Sequence, residues 1–528
     1  MKKNNIITYV IAAVSLLTVG CKKILDINFS PSFPQEVSAE LYLSPIQYQI
    51  ANGYGQDQRI INKFTQAMLG TSTDRASYIW EQHSYPGGVS DVGGVMWRMV
   101  YFNHGKNLEN LLADSKVSKK YEFTAIGYAI KAFDYQLLTD YHGPIVLDGA
   151  YEDRLQFEYK DQPDVYKRVQ VWCDSALYFL DQKSMADNTG ILSKYDFMYG
   201  GNMERWRKFI YGVKALNYAR YINKPDFLTN YADSVMKYTS LSFASEADNA
   251  TVKFTGSSSE NSNVYGQDQA LLNSTYYNRA GAPILRYLTG GVRGEYEEEA
   301  KTSSDPRLSR MLKFGTSATA STDSIYRAAL PDGRSANSTV PAVGNFYMFK
   351  NTTDFPIMTY SQLQFIRAEV ALKKGDLTVA HEAYLNGIRG HMTFVNKYTA
   401  VKDENQGTIF NPLEITAAEI NSYMDSTEVA QTAAELTLAD IMGQKYIALW
   451  GWGGYDIWSD LRKYRYDPAI FRQFVTRSGA ELAQGSYTYR VRPRFNSEYM
   501  WNAEELEKWG GLEANYVITP TWFVLENY

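Results

Sequence analysis

Cysteine, histidine and long apolar runs are scarce in this chain of 528 residues. It has two cysteines, Cys21 and Cys173, and five histidines. With so few thiols, a disulfide framework and a cysteine-based zinc site are excluded. No two histidines have the H-E-x-x-H spacing of a zinc protease, and neither a phosphate-binding loop nor a G-x-S-x-G element occurs. The sequence therefore predicts no zinc site and no cofactor, and no metal-binding residue is identified; a calcium site stays open.

Clusters of basic residues are also absent. The formal net charge is −5, and lysine and arginine form no block along the chain. Nucleic-acid-binding proteins usually carry such a block, because they neutralise phosphates with it. We therefore expect no nucleic acid among the partners.

The N-terminus has the layout of a bacterial lipoprotein signal. Lys2 and Lys3 precede an apolar run from Ile6 to Val19, and Gly20 and Cys21 follow. The run is too short to cross a bilayer of about 30 Å as a helix. We predict a signal peptide over 1–20 and acylation of Cys21, so that the protein is held at a membrane by its lipid. An ordinary signal peptide with a chance cysteine is the alternative. No later apolar segment approaches 18 residues.

The second cysteine has a different predicted role. Val165, Val169, Cys173, Ala176 and Leu180 share one face of a predicted helix. Nothing nearby in the sequence would activate a thiolate, so we predict that Cys173 is a small buried side chain.

Helical periodicity dominates from residue 97 onward, and it predicts an all-α fold. Ala129 and Phe133 match the A-x3-F element of a tetratricopeptide hairpin. We expect about four such helical pairs in one domain over 41–528, after a tether over 21–40. The first pair is predicted at Trp97–Leu112 with Tyr121–Tyr141, and the second at Val165–Leu180 with Met203–Asn223. The third pair begins with a helix at Ser361–Lys374. The fourth begins with a helix at Thr437–Trp450, where Thr437 and Asp440 form a capping box.

Long stretches without periodicity separate these pairs. They are rich in Ser, Gly, Asn and Tyr, a composition typical of binding loops carried on a rigid scaffold. Aromatic residues make up 14% of the chain, with 42 Tyr and 10 Trp. Such side chains suit flat amphipathic ligands, for example sugar rings. The stretches are Gly70–Gly94, Ser242–Arg310, Thr316–Pro356 and Tyr398–Glu435, and minor short strands are expected, one of them at Ser486–Arg492.

Several polar and aromatic residues are interpreted as structural. His104 and His142 fall on or beside helices and are predicted to be core or cap residues. The run Glu297–Glu299 is interpreted as a solvated surface. A glycoside hydrolase needs only two carboxylates about 5–10 Å apart, so this class of enzyme stays open at this point.

Six segments together resemble the SusD/RagB family of outer-membrane glycan-binding lipoproteins, and in particular its divergent SusD-like branch. The most similar one is PIMTYSQLQFIRAEVALKKGD, Pro356–Asp376. In the last segment Asn496 replaces the proline usual for the family. The segments are Cys21–Asn28, Ala129–Val146, Asp305–Leu308, Pro356–Asp376, Gln444–Tyr466 and Arg494–Asn502.

The resemblance implies a cell-surface lipoprotein of the outer membrane, anchored through Cys21. It implies that the protein binds glycan without cleaving it and delivers it to a SusC-like TonB-dependent transporter. It also places Trp450, Trp452 and Trp458 in a structural helix. A peptide-binding lid of a peptide importer is the alternative, and a surface glycoside hydrolase is a further one.

The resemblance also implies where the ligand lies. In the family, ligand is usually held by an early loop, which corresponds to Asp74–Trp97 here, and by a large central insertion that includes Tyr287. The ligand-binding residues expected from these two segments are Asp74, Arg75, Trp80, Tyr85, Tyr276, Tyr277, Asn278 and Arg279.

Overall fold

The computed structural model of the protein describes residues 37–70, 79–84, 91–266, 278–290, 298–300, 305–315, 325–331, 337–401 and 412–527. The predicted signal peptide, Cys21 and most of the tether lie outside these residues, and the boundaries of the single domain stay a prediction. None of the described helices combines the length and the apolar character that a bilayer crossing requires.

The described part of the chain is mainly helical, which confirms the predicted all-α fold. Two single π-helical turns, at Met99–Asn103 and Phe495–Tyr499, add to the α-helices. The α-helices are α1 (Ala39–Phe64), α2 (Val95–Arg98), α3 (Gly105–Val117), α4 (Tyr121–His142), α5 (Gln162–Leu180), α6 (Thr189–Tyr195), α7 (Met203–Ala219), α8 (Phe227–Asn230), α9 (Ala232–Leu241), α10 (Ala282–Thr289), α11 (Leu308–Met311), α12 (Tyr360–Lys374), α13 (Leu377–Thr399), α14 (Ala417–Met424), α15 (Leu438–Leu449), α16 (Gly454–Lys463) and α17 (Ala503–Lys508).

Short strands pair two by two between the helices. Each of the four ladders is antiparallel: β1 with β5, β2 with β3, β4 with β8, and β6 with β7. The strand predicted at Ser486–Arg492 is wrong. The amides of Tyr489 and Arg490 both donate to the carbonyl oxygen of Val517, and the amide of Val491 donates to that of Tyr141, so no ladder forms. The strands are β1 (Met68–Leu69), β2 (Ile145–Val146), β3 (Tyr159–Lys160), β4 (Ala250–Val252), β5 (Arg279–Ala280), β6 (Glu298–Ala300), β7 (Ile325–Arg327) and β8 (Phe355–Met358).

The four predicted helical pairs correspond to α3 with α4, α5 with α7, α12 with α13, and α15 with α16, and each pair is in contact. The α12–α13 hairpin illustrates why the chain turns where it does. Thr359 and Gln362 form a capping box at the start of α12. Gly375 ends α12 with a φ of +79°, which favours glycine, and Asp376 caps α13.

One hydrophobic core extends through these pairs from Ala39 to Val524. Trp450, Trp452 and Trp458 are fully buried in it, as predicted. Cys173 is also buried there, and burial raises the pKa of its thiol to about 12. The thiol is therefore inert at neutral pH, which confirms its predicted packing role.

The two helix-associated histidines are core residues, as predicted. The Nε2 atom of His104 lies 2.7 Å from Oδ2 of Asp134. The Nδ1 atom of His142 lies 3.0 Å from the carbonyl oxygen of Val491, and burial lowers the pKa of His142 to about 3. Each ring therefore links a helix to a neighbouring segment.

Several described helices, among them α9 and α14, fall where the sequence predicted none, and two of these helices, α1 and α10, illustrate why. Helix α1 contains Pro45, Gly53 and Gly55, which weaken its helical signal. A Cβ atom at Gly53 would collide with Met99, and one at Gly55 with Val264, so close packing requires the glycines. The other is α10, inside the stretch interpreted as irregular; it begins with Pro283 in its first turn and ends at Gly290.

Candidate functional site

The ladder between β1 and β5 joins the two segments from which ligand-binding residues are expected. Met68 pairs with Ala280, and Leu69 pairs with Arg279. The early segment continues from β1, and the central insertion contains β5. These segments are far apart in the sequence, so only the tertiary structure brings them to one place.

Several further contacts fix this junction. The amide of Gly281 donates to the carbonyl oxygen of Ala67 at 3.1 Å. Ala329 bonds to the insertion twice, donating to Ala280 and accepting from Ala282, each at 2.8 Å. The small buried cluster of Leu69, Ala329 and Val340 fills the space beside the ladder.

A buried ion pair holds the start of the early segment. The Nζ atom of Lys63, in α1, lies 2.9 Å from Oε1 of Glu81. The same oxygen accepts a hydrogen bond from the amide of Gly70 at 3.2 Å. Arg477 donates to the backbone carbonyl of Glu81 at 2.8 Å. Helix α1 therefore positions both ends of the chain segment that follows β1.

Three of the eight expected ligand-binding residues are described, and all three are buried. The ring of Trp80 is 6% exposed and lies 6.1 Å from the ring of Phe64. The Nη1 atom of Arg279 donates to Oδ1 of Asn278 at 2.7 Å, and burial lowers the pKa of Arg279. Asn278 and Arg279 therefore lie at the junction, whereas Trp80 packs against α1, and direct contact of the three side chains with ligand stays a prediction.

The other five expected residues lie outside the described part of the chain: Asp74, Arg75, Tyr85, Tyr276 and Tyr277.

A cavity of about 270 Å³, here called the α10 cavity, lies at the end of α10 that is further from the junction. Tyr287, one of the insertion residues, lines it and lies 5.3 Å from the ring of Tyr446. Gly443 permits this approach, since a Cβ atom there would lie 2.9 Å from the Tyr287 ring. The lining residues are Arg286, Tyr287, Gly290, Tyr384, Tyr423, Glu428, Ala439, Asp440, Gly443, Gln444, Ile447, Arg472 and Gln473.

The walls of the α10 cavity are polar but mostly neutral. The hydroxyl of Tyr423 accepts a hydrogen bond from Nε2 of Gln444 at 2.9 Å. Burial holds the pKa of Tyr423 well above its usual value, so the phenol keeps its proton. At the rim, Nη1 of Arg472 lies 3.0 Å from Oδ1 of Asp440. The cavity thus offers hydrogen-bond donors and acceptors together with aromatic surface, which suits a polar, uncharged ligand.

Of the residues that line this cavity, the sequence assigned only Tyr287 to a ligand-binding segment. Tyr287 belongs to the insertion, whereas Tyr384, Gln444 and Arg472 belong to or adjoin scaffold helices. Helical periodicity marks such residues as packing positions, and it gives no sign that a cavity opens beside them. Among the described residues, no group of three or more His, Cys, Asp or Glu side chains could hold a metal ion.

Solved structures with the same fold have little sequence in common with this chain. A SusD/RagB family protein from Bacteroides thetaiotaomicron is 19% identical, with a TM-score of 0.68. A chitin-binding protein is 18% identical, with a TM-score of 0.69, and a SusD homologue from Bacteroides fragilis is 18% identical, with a TM-score of 0.67. Each comparison covers 93% of this chain and 100% of the other. At such identities the likeness concerns the fold alone.

No curated protein matches the sequence. A family of proteins described as "Starch-binding associating with outer membrane" does match it, over residues 31–492. This span is most of the chain, and it confirms the resemblance to SusD/RagB proteins. The chain therefore belongs to the SusD-like_2 family.

Proposed function

We propose that this protein binds a glycan at the cell surface and delivers it, without cleaving it, to a SusC-like TonB-dependent transporter. The observation that carries the proposal is the β1–β5 ladder, which joins the two expected ligand segments; a polar, aromatic cavity lies at the far end of α10, which follows the ladder in the chain. The family description names starch and the outer membrane, and one structural relative is a chitin-binding protein. Both descriptions favour a carbohydrate as the ligand.

The physical chemistry of the region agrees with this ligand class. Sugar rings have an apolar C–H face and a rim of hydroxyl groups. Tyrosine offers a ring face to the former and a phenol to the latter, and Asn and Arg side chains bind hydroxyl groups. Asp74, Arg75, Tyr85, Tyr276 and Tyr277 are proposed as direct ligand contacts, with Trp80, Asn278 and Arg279 completing the site.

The attachment is proposed to be a lipid on Cys21. A short tether then links the lipid to α1, so that the helical domain can move over its transporter while staying at the outer membrane. A Cys21→Ala protein is expected to fold and to bind ligand normally, and to be lost from the membrane fraction. Loss of ligand binding in this variant would contradict the role of the tether.

Titration of the purified protein with starch, chitin oligosaccharides and other soluble glycans tests the binding proposal. The wild type is expected to bind a glycan, and the double variant Tyr276→Ala/Tyr277→Ala to bind it at least about tenfold more weakly, since two stacking faces are lost. Tyr178→Ala, which removes an exposed tyrosine on α5, is the matched control and is expected to bind like the wild type.

Two further outcomes would favour the alternatives. Release of new reducing ends from the bound polysaccharide would indicate a surface glycoside hydrolase. Binding of oligopeptides in parallel titrations, with no glycan bound, would indicate the lid of a peptide importer. Co-purification of a TonB-dependent barrel with the tagged lipoprotein, from its native membrane, tests the partner.

A further inference from the structure

A second cavity lies between the two π-helical turns, and none of the eight expected ligand-binding residues lines it. It has a volume of about 210 Å³ and is called the aromatic cavity below. Tyr101 and Phe102 come from the first π-helical turn, and Ser497 and Glu498 from the second. Such turns are often found at functional sites. The lining residues are Trp97, Arg98, Tyr101, Phe102, Val146, Ala150, Phe157, Arg494, Ser497 and Glu498.

Aromatic rings form the walls of this cavity, and some of them have a free face. Phe102 is 73% exposed, so most of its ring is open to solvent. The guanidinium of Arg98 lies 5.5 Å from the centre of its ring, and that of Arg154 lies 4.9 Å from the ring centre of Phe157. These cation–π contacts hold both rings at the rim.

The floor of the aromatic cavity is fixed by hydrogen bonds. The hydroxyl of Tyr101 donates to the carbonyl oxygen of Val146 at 2.5 Å. On the opposite wall, Arg494 is held by Asp91, with Nη2 2.9 Å from Oδ2. The cavity is therefore preformed, and a ligand would not need to order these side chains.

Glu498 supplies an acceptor that the described residues leave unused. This residue lines the cavity and is only 6% exposed. Its Oε2 atom accepts from the Tyr159 hydroxyl at 2.5 Å and from Nδ2 of Asn502 at 3.0 Å. Its Oε1 atom makes no hydrogen bond to any described residue. It is not one of the fully buried unpaired atoms of the described residues, so a ligand hydroxyl group can reach it from the cavity and donate to it.

The charged and aromatic groups of the cavity together favour one chemical class of ligand. The unpaired oxygen of Glu498 disfavours an anion, and the guanidinium groups of Arg98 and Arg494 disfavour a cation. A purely apolar ligand would leave the carboxylate oxygen without a donor. A neutral ring with one apolar face and several hydroxyl groups satisfies all of these conditions.

We propose that the aromatic cavity is a second carbohydrate subsite, which takes one neutral pyranose ring. The ring stacks on Phe102 and donates a hydroxyl group to Oε1 of Glu498. The inference deepens the proposed glycan-binding function and rests on it, but it concerns residues that neither the α10 cavity nor the β1–β5 junction contains.

Calorimetric titration with maltoheptaose, chitohexaose, cellohexaose and xylohexaose tests the subsite. The wild type is expected to bind one of these sugars at two sites for each protein molecule. Phe102→Ala should remove one site or weaken it about three- to tenfold, as expected for the loss of a stacked ring. Because Phe102 is exposed, this variant is expected to fold, and circular dichroism checks that it does. Tyr178→Ala, also an exposed aromatic residue on a helix, is the control.

A second variant probes the acceptor. Glu498→Gln keeps the shape of the side chain and one oxygen, and it removes the negative charge. We expect it to weaken the same site that Phe102→Ala weakens, and to leave the other site unchanged. Since Glu498 also bonds to Tyr159 and Asn502, thermal unfolding of this variant is measured alongside.

The possible results separate the two proposals. If the wild type binds a sugar and Phe102→Ala binds it with the same affinity and stoichiometry, the subsite proposal is wrong. The same result is expected if a protein partner covers this face. If Tyr287→Ala and the Tyr276/Tyr277 double variant bind like the wild type while Phe102→Ala does not, the subsite stands and the α10 region is the wrong site. If none of the four sugars binds, the subsite is rejected together with carbohydrate binding of these classes.

Discussion

Aromatic residues of the scaffold and of the cavity rims differ in how completely protein covers them. Tyr141 and Tyr166 are fully buried, and the Tyr166 hydroxyl donates to Oδ1 of Asp140 at 2.6 Å. Phe102 leaves most of its ring exposed and is held by Arg98. A covered ring stabilises the fold through the area it buries, whereas only a ring with a free face can stack on a ligand. The number of aromatic residues therefore does not locate a binding site.

Ion pairs of the scaffold and of the cavity rims also differ in how completely protein covers them. In the scaffold, Nε of Arg220 lies 2.8 Å from Oδ2 of Asp140, and Nη2 lies 2.6 Å from Oδ1 of Asp456, with all three side chains buried. At the α10 cavity, the pair of Arg472 with Asp440 is partly exposed to water. Removal of one partner from a buried ion pair costs several kcal/mol, because the remaining charge stays buried. An exposed pair is already hydrated, so either side chain can bind a ligand instead.

The largest effect is expected from Arg220→Ala. Removal of this guanidinium leaves the carboxylates of Asp140 and Asp456 buried without their cation, which should lower the free energy of unfolding by about 3–5 kcal/mol. Chemical denaturation measures the change. Arg168→Ala, which breaks an exposed pair with Asp148, is the control and should cost less than about 1 kcal/mol. Equal losses of unfolding free energy in the two variants would contradict the distinction between buried scaffold pairs and exposed pairs.

A pH dependence of intermediate size is expected from His142. Burial lowers its folded-state pKa to about 3, whereas the unfolded chain titrates near the usual value. Between these values the unfolded state binds a proton that the folded state does not, so stability is complete above about pH 6.5 and falls as the pH falls. From pH 7 to pH 5 this histidine should cost about 2 kcal/mol.

His142→Gln should remove this contribution. Asp57 and Glu246 act in the opposite direction, because burial raises the pKa of Asp57 to about 6 and that of Glu246 to about 7. The difference between wild type and variant, measured by denaturation at both pH values, isolates the histidine. An unchanged pH profile in the variant would mean that His142 is protonated in the folded protein.

A smaller effect is expected at the helix that lines the α10 cavity. Thr437 caps α15 together with Asp440, and its side chain accepts from the amide of Asp440. Thr437→Ala should lower the free energy of unfolding by about 1 kcal/mol, as for other helix caps. Thr437→Ser, which keeps the acceptor oxygen, should restore most of it. If serine does not restore stability, the methyl group rather than the cap is responsible.

The smallest effect on stability is expected at the rim of the aromatic cavity. Phe102→Ala should change the free energy of unfolding by no more than about 0.5 kcal/mol, because most of the ring is already in water. Trp458→Ala, in the buried core, should cost about 3–5 kcal/mol by contrast. A large loss in the Phe102 variant would identify it as a packing residue and weaken the case for the subsite.

Much of the scaffold could be predicted because its signals are local. The capping box of Thr437, the Gly375–Asp376 turn and the end of α4 before Gly143 depend on residues within a few positions of each other. Helix α1 was missed because Pro45 and two glycines weaken its local signal. Its stability comes from packing against Met99 and Val264, which are distant in the sequence.

The candidate site was predictable only as two segments. Family resemblance singled out Trp80, Asn278 and Arg279; the structure buries all three, with Asn278 and Arg279 at the β1–β5 junction and Trp80 against Phe64 of α1. Neither the α10 cavity nor the aromatic cavity has a motif, because each is built from four or more separate stretches of chain.

The sequence alone determined the helical hairpins, the buried role of Cys173 and the family, because periodicity, caps and ordered motifs are recorded in neighbouring residues. The tertiary structure alone decided which of the described aromatic rings keep a free face and which of the described carboxylate oxygens lack a donor. Exposure and hydrogen bonding depend on everything that packs against a side chain, and at Phe102 and Glu498 those neighbours come from both ends of the protein.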